Sequence, residues 1–552
     1  MNDSAEKKLF WGCFIALVTT AFGFIARSFL VGDWAKEFGL DPAQEARLMG
    51  IGVWPFAVSI IGFSLIIDKV GYKLSMIISF VGYMIWAAMS TAAYFISGGG
   101  QGDPDRAFQM IYWGSLILAL SNGTVEAFIN PVVATMFKEE KTKWLNILHA
   151  GWPGGLVAAG IVTIALDSFD TIPWCVKTGL LAVPALLFFV MLVAAKFPVQ
   201  ERVASDVSYR EMLSEFGVLG AVIVAVLVVL QLMDFASAGG AVELAVATKI
   251  FFIAIGVVIV AGFGFYTRSV GRWLMFFLIL IMMPLATTEI GTDGLITGIM
   301  AGVTGDQFHS GWILVYTSAI MMVLRFFAGP IVHQLSPLGL LAVSSILAII
   351  GLLTLSTTAG MAIFVAATLY GVGKTFFWPT MLGVVSEQMP KGGALTLNAI
   401  SGIGMLAVGT LGFPYIGALR SEKQIETLVT SEAAQQVPGL VQDGKLAAIE
   451  QKRIYEVIAY ETVDDKKLAA LLQESIADED KRKELAAEID RVRRKGDQKA
   501  LANVAVFPGI MLAAYIILIL YFKSQGGYKA EVLVGHEAED DKFVGGVEGA
   551  VE

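Results

Sequence analysis

The chain has 552 residues, of which 56% are hydrophobic and only 16% charged, with two cysteines and a formal net charge of −9. A soluble globular chain carries about 25% charged residues, so a soluble domain, a disordered chain and a disulfide scaffold are excluded, and the negative charge argues against a nucleic-acid binder. The charges are unevenly spread: residues 420–500 hold 15 Lys/Arg and 17 Asp/Glu, which leaves the rest of the chain more apolar than its mean.

A helix needs roughly 20 apolar residues to cross a bilayer core of ~30 Å, and lipid tolerates no unpaired backbone, so such runs must be helices. In chain order, six runs lie near residues 9–31, 48–67, 74–97, 107–137, 145–169 and 173–196. A polar stretch, 197–215, precedes two more at 216–235 and 247–266. Six further runs lie near 273–302, 310–332, 338–358, 360–386, 394–419 and 501–522. The first run is too long for the apolar core of a signal peptide and reads as a retained span. The expected architecture is therefore an all-α polytopic membrane protein with fourteen transmembrane helices. A six-helix bundle occupies 1–196, a linker and two extra helices 197–271, and a second six-helix bundle 272–522, followed by a polar tail at 523–552.

With fourteen spans, the opposite loops are nearly free of Lys and Arg, and the basic residues fall largely on one side. They include Lys7, Lys8, Lys69, Lys73, Lys138, Lys141, Lys143, Arg202, Arg210, Arg268, Arg272, Lys391, Lys523 and Lys529. The positive-inside rule makes that side the cytoplasm. Both termini are then cytoplasmic, the 420–500 insert extracytoplasmic, and a bacterial inner membrane the expected location. Within the insert, 465–478 and 480–494 carry apolar residues at helical spacing. A small helical cap is expected there, either a solvated spacer or a docking element.

The two bundles echo each other, as repeats of secondary transporters do. Span 4 reads SNGTVEAFINPVVATMF and span 5 begins WLNILHAGWPGG; span 12 reads YGVGKTFFWPTMLGVVS and span 13 begins TLNAISGIGM. Aligning Pro131 with Pro379 sets Glu126 opposite Lys374 and Asn146 opposite Asn398. The loop after span 2, SLIIDKVGYK, has a partner after span 10, RFFAGPIVHQLSP. On these residues the chain resembles the major facilitator superfamily. Asp68, Lys69, Gly71 and Lys73 fit its loop motif, with Ser64 in place of the first glycine. In the second half Arg325 and Gly329 read as gating-loop elements, and His333 stands where an Asp is common. Glu126, Asn130 and Pro131, followed by Leu145 and Asn146, look like the fucose/galactose/glucose–proton symporter branch. That resemblance implies proton coupling and sugar binding at Glu126; the acidic residue which the branch has in span 1 is absent here, where Arg27 and Ser28 stand.

A charge at the bilayer centre costs ~3 kcal/mol on insertion scales, so intramembrane charges are used or paired. At 1.5 Å per residue, Glu126 lies roughly 16 Å from the cytoplasmic end of span 4 and Lys374 roughly 21 Å from the outer end of span 12. The two are expected to face one cavity lined by spans 1, 4, 9 and 12, where Lys374 holds Glu126 ionised until substrate or a conformational change separates them, since a nearby cation favours the carboxylate and burial the neutral acid. A static ion pair holding the halves together is the structural alternative, and a neutral Lys374 is the third. Arg27 binds a carboxylate or snorkels. Glu289 and Asp293 in span 9 either pair with Arg27 or face the outer vestibule. His149, one turn from Asn146, is a proton relay or a packing residue, and His309 and His333 read as solvated. Trp152 and Trp378 could stack on a sugar ring, although a membrane tryptophan is more often packing or an anchor.

No phosphate-binding loop, His-Glu-x-x-His or Cys-x-x-Cys occurs, so neither an enzyme nor a bound cofactor or metal is expected. The expected function is proton-coupled uptake of a small polar solute, a sugar or a sugar-derived organic anion, with sodium as the alternative coupling ion. A multidrug–proton antiporter and a non-transporting membrane receptor are the competing classes.

Overall fold

A computed structural model describes residues 4–40, 48–167, 169, 172–237, 243–296, 299, 311–454, 458–531 and 533. Among them, thirteen helices are long and apolar enough to cross a membrane, and a fourteenth forms if a bent pair counts as one span. The first six are Ser4–Phe38, Leu48–Val70, Tyr72–Ser97, Pro104–Met136, Lys141–Leu166 and Trp174–Leu192. The next two are Tyr209–Ala236 and Val246–Thr267. The last six are Trp273–Ile296, the bent pair Gly311–Phe326 and Ala328–Leu335, then Pro337–Leu355, Gly360–Gln388, Pro390–Val429 and Glu479–Ser524. We number these spans 1 to 14. The order matches the apolar runs of the sequence.

Local chemistry sets the ends. The Asp103 side chain caps span 4 by accepting from Arg106 N, ahead of Pro104 at the first helical position, where a missing N–H costs nothing. Ser208 and Glu211 form a capping box at span 7. Gly71, at φ +87°, turns span 2 into span 3, a conformation only glycine adopts without strain. Span 8 buries only Gly256 and Thr267, as a lipid-facing helix would. Span 7 packs between it and span 13, and its Phe235 ring lies 5.9 Å from Trp54 of span 2.

Spans 7 and 9 are tied at their starts. Val218 N donates to Ser269 O, Leu219 N to Val270 O and Arg272 N to Glu215 O. Gly217 sits at φ +61° there, and a Cβ on it would run into the Gly271 backbone. Gly217→Ala is therefore expected to cost about 1–3 kcal/mol from its backbone conformation alone and more from displacing the Gly271 backbone. The melting midpoint of the purified protein should fall by several degrees, whereas Gly262→Ala, in open space on span 8, should leave it unchanged.

The insert differs from the expected helical cap. Spans 13 and 14 run on beyond the apolar region as a pair of antiparallel helices, Phe413–Val429 and Glu479–Val504. Arg420 clamps Asp497 through Nε at 3.0 Å and Nη2 at 2.9 Å. At their far end lie two β-hairpins, Val441–Gln442 with Lys445–Leu446 and Ile449–Ile454 with Ile458–Val463. Helix Asp465–Ser475 does match the helical spacing. A separate apolar core of Leu428, Leu440, Leu446, Val463, Leu472 and Ile489 holds these pieces together. Asp443 and Gly444 both take positive φ, the geometry of a two-residue hairpin turn for which Asp-Gly is the sequence signal. The polar, short strands beside it carry little alternation, which is why helical spacing dominates the reading.

Candidate functional site

Prolines inside the spans set out the site. A proline removes the hydrogen bond to the carbonyl four residues earlier, and in a membrane that carbonyl needs another donor. Pro131 of span 4 frees Ala127 O, which accepts from Asn398 Nδ2 of span 13 at 2.8 Å. Pro153 of span 5 frees His149 O, which accepts from Arg325 Nη1 of span 10 at 2.7 Å. Pro379 of span 12 frees Thr375 O, which accepts from Arg325 Nε at 2.7 Å. Two of these three bonds cross between the halves of the molecule.

Arg325 is fully buried and uses its third nitrogen on Glu289 of span 9, Nη2 to Oε1, at 2.7 Å. The other oxygen of Glu289 accepts from Trp378 N at 3.0 Å, a backbone group released where span 12 breaks between Lys374 and Phe377. Glu289 itself sits in a π-helical turn, Thr287–Gly291, just after Pro284; such turns frequently mark functional sites.

These groups line a cavity with an empty volume of about 370 Å³. Its polar lining is Glu126, His149, Glu289 and Arg325, and its apolar lining Phe56, Ile60, Trp152, Ile290, Trp378 and Met405. Glu126 Oε2 accepts from Asn130 Nδ2 at 2.7 Å, and Asn130 Nδ2 also reaches Asn398 Oδ1 at 3.4 Å. Asn130 Oδ1 is 2.9 Å from His149 Nε2; with the amide oxygen as acceptor, that ring nitrogen carries the proton. Glu126 has no ion-pair partner among the described residues.

The structure brings Glu126, Asn130, His149, Trp152, Trp378 and Asn398 together, and Asn146 lies one turn further along span 5, donating to Thr380 Oγ1 at 3.1 Å. Three expected members are elsewhere. Lys374 does not pair with Glu126: it is buried against Asp293 of span 9, with which it forms an ion pair. Asp293 is thus taken up by Lys374, not Arg27. The Arg27 guanidinium donates to Leu48 O at 2.6 Å and Met49 O at 3.0 Å, fastening the chain where it enters span 2. Accordingly, the cavity is lined by spans 2, 4, 5, 9, 10, 12 and 13, and span 1 supplies none of these lining residues.

Arg325 belongs to the cavity and not to a gating loop. Span 10 bends by 69° at Phe327, which leaves Arg325 on the Gly311–Phe326 segment beside the cavity, and the glycine-containing stretch after it hides that in the sequence. The signal that could have found it is the set of proline-freed carbonyls, which require a buried donor. Of the other loop residues, Asp68 accepts from Arg202 Nε and Nη2 at 3.1 and 2.6 Å, Lys69 lies 4.8 Å over the Tyr209 ring, and Lys73 is exposed. Gly329 packs on the Lys143 stem. His333 is exposed near Glu140, 3.3 Å away, and His309 lies outside the described residues.

Among the described residues, the hydrogen bonds joining the two halves lie level with the cavity or on its basic-loop side. Beyond Asn146–Thr380 come Thr142 N and Oγ1 to Glu387 Oε1, at 3.0 and 2.5 Å, and Lys141 Nζ to Ser386 O at 3.1 Å. The molecule is closed toward the basic loops.

A family model described as the Major Facilitator Superfamily matches residues 12–414, while no curated protein matches the sequence. Solved structures with the same fold include the proton:xylose symporter XylE of E. coli bound to 6-bromo-6-deoxy-D-glucose, 13% identical with a TM-score of 0.54 over 75% of this chain and 90% of that one. The human organic anion transporter MFSD10 is 10% identical with a TM-score of 0.53, over 93% and 100% of the two chains. A bacterial homolog of the human lysosomal transporter Spinster, in an inward-facing and unoccupied conformation, is 12% identical with a TM-score of 0.54, over 94% and 97%. Two bundles joined by hydrogen bonds at one face, around a cavity with buried polar groups, together with a family match over most of the chain, lead to one conclusion: this protein belongs to the major facilitator superfamily and is a secondary transporter.

Proposed function

We propose that the protein takes up a small neutral polar solute, a sugar or a compound of similar size and hydroxyl content, together with a proton, by alternating exposure of the cavity. The observation that carries this reading is Glu126, a cavity carboxyl held by one amide and ion-paired with no cation among the described residues. A lone buried carboxylate is costly, so a proton or a solute donor must accompany it through the closed state. Opposite it, the Arg325 guanidinium has N–H groups beyond the three bonds that hold it. A solute that donates to Glu126 and accepts from Arg325 between the Trp152 and Trp378 indoles is what a ring rich in hydroxyls provides.

An anionic substrate draws less support, because Arg27 and Lys374 do not line the cavity and are bonded elsewhere. A second reading follows from the charge count: two carboxylates face one guanidinium there, which favours exchange of an organic cation for protons. With basic loops on the cytoplasmic face, the closed gate lies inside and the termini are cytoplasmic.

The test is a thermal-shift screen of neutral sugars, uronates, small carboxylates and quaternary ammonium compounds, then uptake into proteoliposomes under an imposed proton gradient. A neutral sugar that stabilises the protein and accumulates on the alkaline side, with proton entry, is the expected result. Uptake of every stabilising solute that ignores the gradient would overturn the coupling, and stabilisation only by cations would favour the second reading. Trp378→Ala should raise the apparent KM for the transported sugar about three- to tenfold, the weight of one aromatic contact of ~0.5–1.5 kcal/mol, with Trp378→Phe closer to the parent.

A further inference from the structure

The chain does not leave the molecule at the end of span 14. Gly526 and Gly527, at φ +90° and +102°, reverse its direction, and the Tyr528 ring packs 5.2 Å from Phe522. The following residues run across the basic-loop face. Tyr528 OH donates to Glu387 Oε2 at 2.8 Å, Gln388 Nε2 donates to Lys529 O at 2.7 Å, and Glu531 N donates to Glu387 O at 2.7 Å. Arg272 pairs with the Glu531 carboxylate at 3.2 Å, and Leu533 N donates to Glu201 Oε1 at 3.2 Å.

Two carboxylates share themselves between this segment and the gate. Glu387, at the end of span 12, gives Oε1 to Thr142 of the first half and Oε2 to Tyr528. Glu201, in the polar stretch after span 6, gives Oε2 to Lys141 at 2.6 Å and Oε1 to Leu533 N. Lys141 in turn donates to Ser386 O across the seam. The neighbouring Arg202 ties that polar stretch to Asp68 of the first bundle, so Glu201 moves with the first half. Four of the five polar contacts fix the segment to the second half, and the fifth spans to the first.

We infer that residues 528–531 and 533 dock on the seam between the bundles as a strap that holds the basic-loop gate shut and so sets how often the cavity opens to that side. This rests on the alternating-exposure reading, but not on which solute or ion is carried. Parting of the halves must break the Leu533–Glu201 bond along with the Lys141 and Thr142 contacts. The strap also orients both carboxylates for those contacts, because each is held at its second oxygen.

Ala134 of span 4 lies behind the gate, lining the space bounded by Lys141, Glu201, Ser386 and Pro390. An Ala134→Cys reporter, in a chain whose buried Cys13 and Cys175 are replaced by Ala, would be labelled with a maleimide in detergent. The full chain, a chain ending at Gly527, and the full-length double variant Tyr528→Phe/Glu531→Gln are compared. Thr142→Ala, which weakens the gate directly, is the positive control. Both strap variants should label at least about fivefold faster than the full chain, the shift expected when a hydrogen bond to a charged group no longer weights the closed state. Faster labelling of Thr142→Ala with parent-like rates for both strap variants overturns the strap and leaves the gate standing. Parent-like rates in all three overturn gate and strap together. If the shortened chain loses its melting transition, the full-length double variant decides. Because labelling needs neither solute nor gradient, failure of proton coupling at Glu126 would show in transport and leave these rates unmoved.

Discussion

Glu126→Gln is expected to reduce gradient-driven accumulation by at least ~100-fold, the scale on which removing a positioned proton-transfer group acts, while exchange of labelled for unlabelled solute at equal pH continues. Gln keeps the side-chain length and an oxygen that can accept from Asn130 Nδ2, now 2.7 Å from the carboxylate, so the cavity's shape should survive. It cannot alternate between a neutral and a charged form. Exchange requires only that the loaded carrier open to both sides; accumulation also requires that the empty carrier return with the carboxyl in its proper state. The two assays, run on the same vesicles, separate coupling from binding. Accumulation by Glu126→Gln at the parent rate would place the coupling proton elsewhere, with His149 next in line, since it joins the same Asn130 amide.

Arg325→Met should be the most damaging single substitution in the cavity for stability. It leaves Glu289 as a buried charge without its partner, and removing one member of a buried pair costs about 3–5 kcal/mol. It also orphans His149 O and Thr375 O, the carbonyls that Pro153 and Pro379 cannot serve, at about 1–3 kcal/mol for each unmet acceptor. The melting midpoint should fall by more than for any conservative change at Trp152 or Trp378, and solute protection should vanish. Arg325→Met with Glu289→Gln should recover part of the midpoint, because the stranded charge is gone, but not transport, because the seam bond to span 5 is still missing. Arg325→Lys should rescue poorly: a point ammonium cannot serve three acceptors set in the plane of a guanidinium. A midpoint unchanged in Arg325→Met would mean that the pair and its carbonyls bear no weight.

Much of the architecture is legible in the chain alone. Fourteen apolar runs, their loop charges and the proline-centred repeat of spans 4 and 12 each reflect a requirement that acts locally: apolar length against bilayer thickness, and charge kept out of lipid. The candidate site is legible in part. Glu126, Asn130 and His149 occupy one polar cluster because they sit on two helices whose turns face each other. Lys374 marks where such reading ends. It occupies the position in span 12 equivalent to Glu126 in span 4, yet its ammonium reaches back to Asp293 of span 9 instead of across to the first half.

The sequence by itself determined which groups would be left wanting: a proline at 131, 153 or 379 strips a known carbonyl of its helical donor, and an intramembrane charge demands a partner, whatever surrounds them. Only the tertiary structure decided who answers. Asn398 meets Ala127 O from 271 positions away, and Arg325 meets His149 O from 176 positions away. Those choices depend on the rotation and register of one helix against another, and on a 69° bend in span 10. Hydropathy and spacing within a single helix carry no record of either.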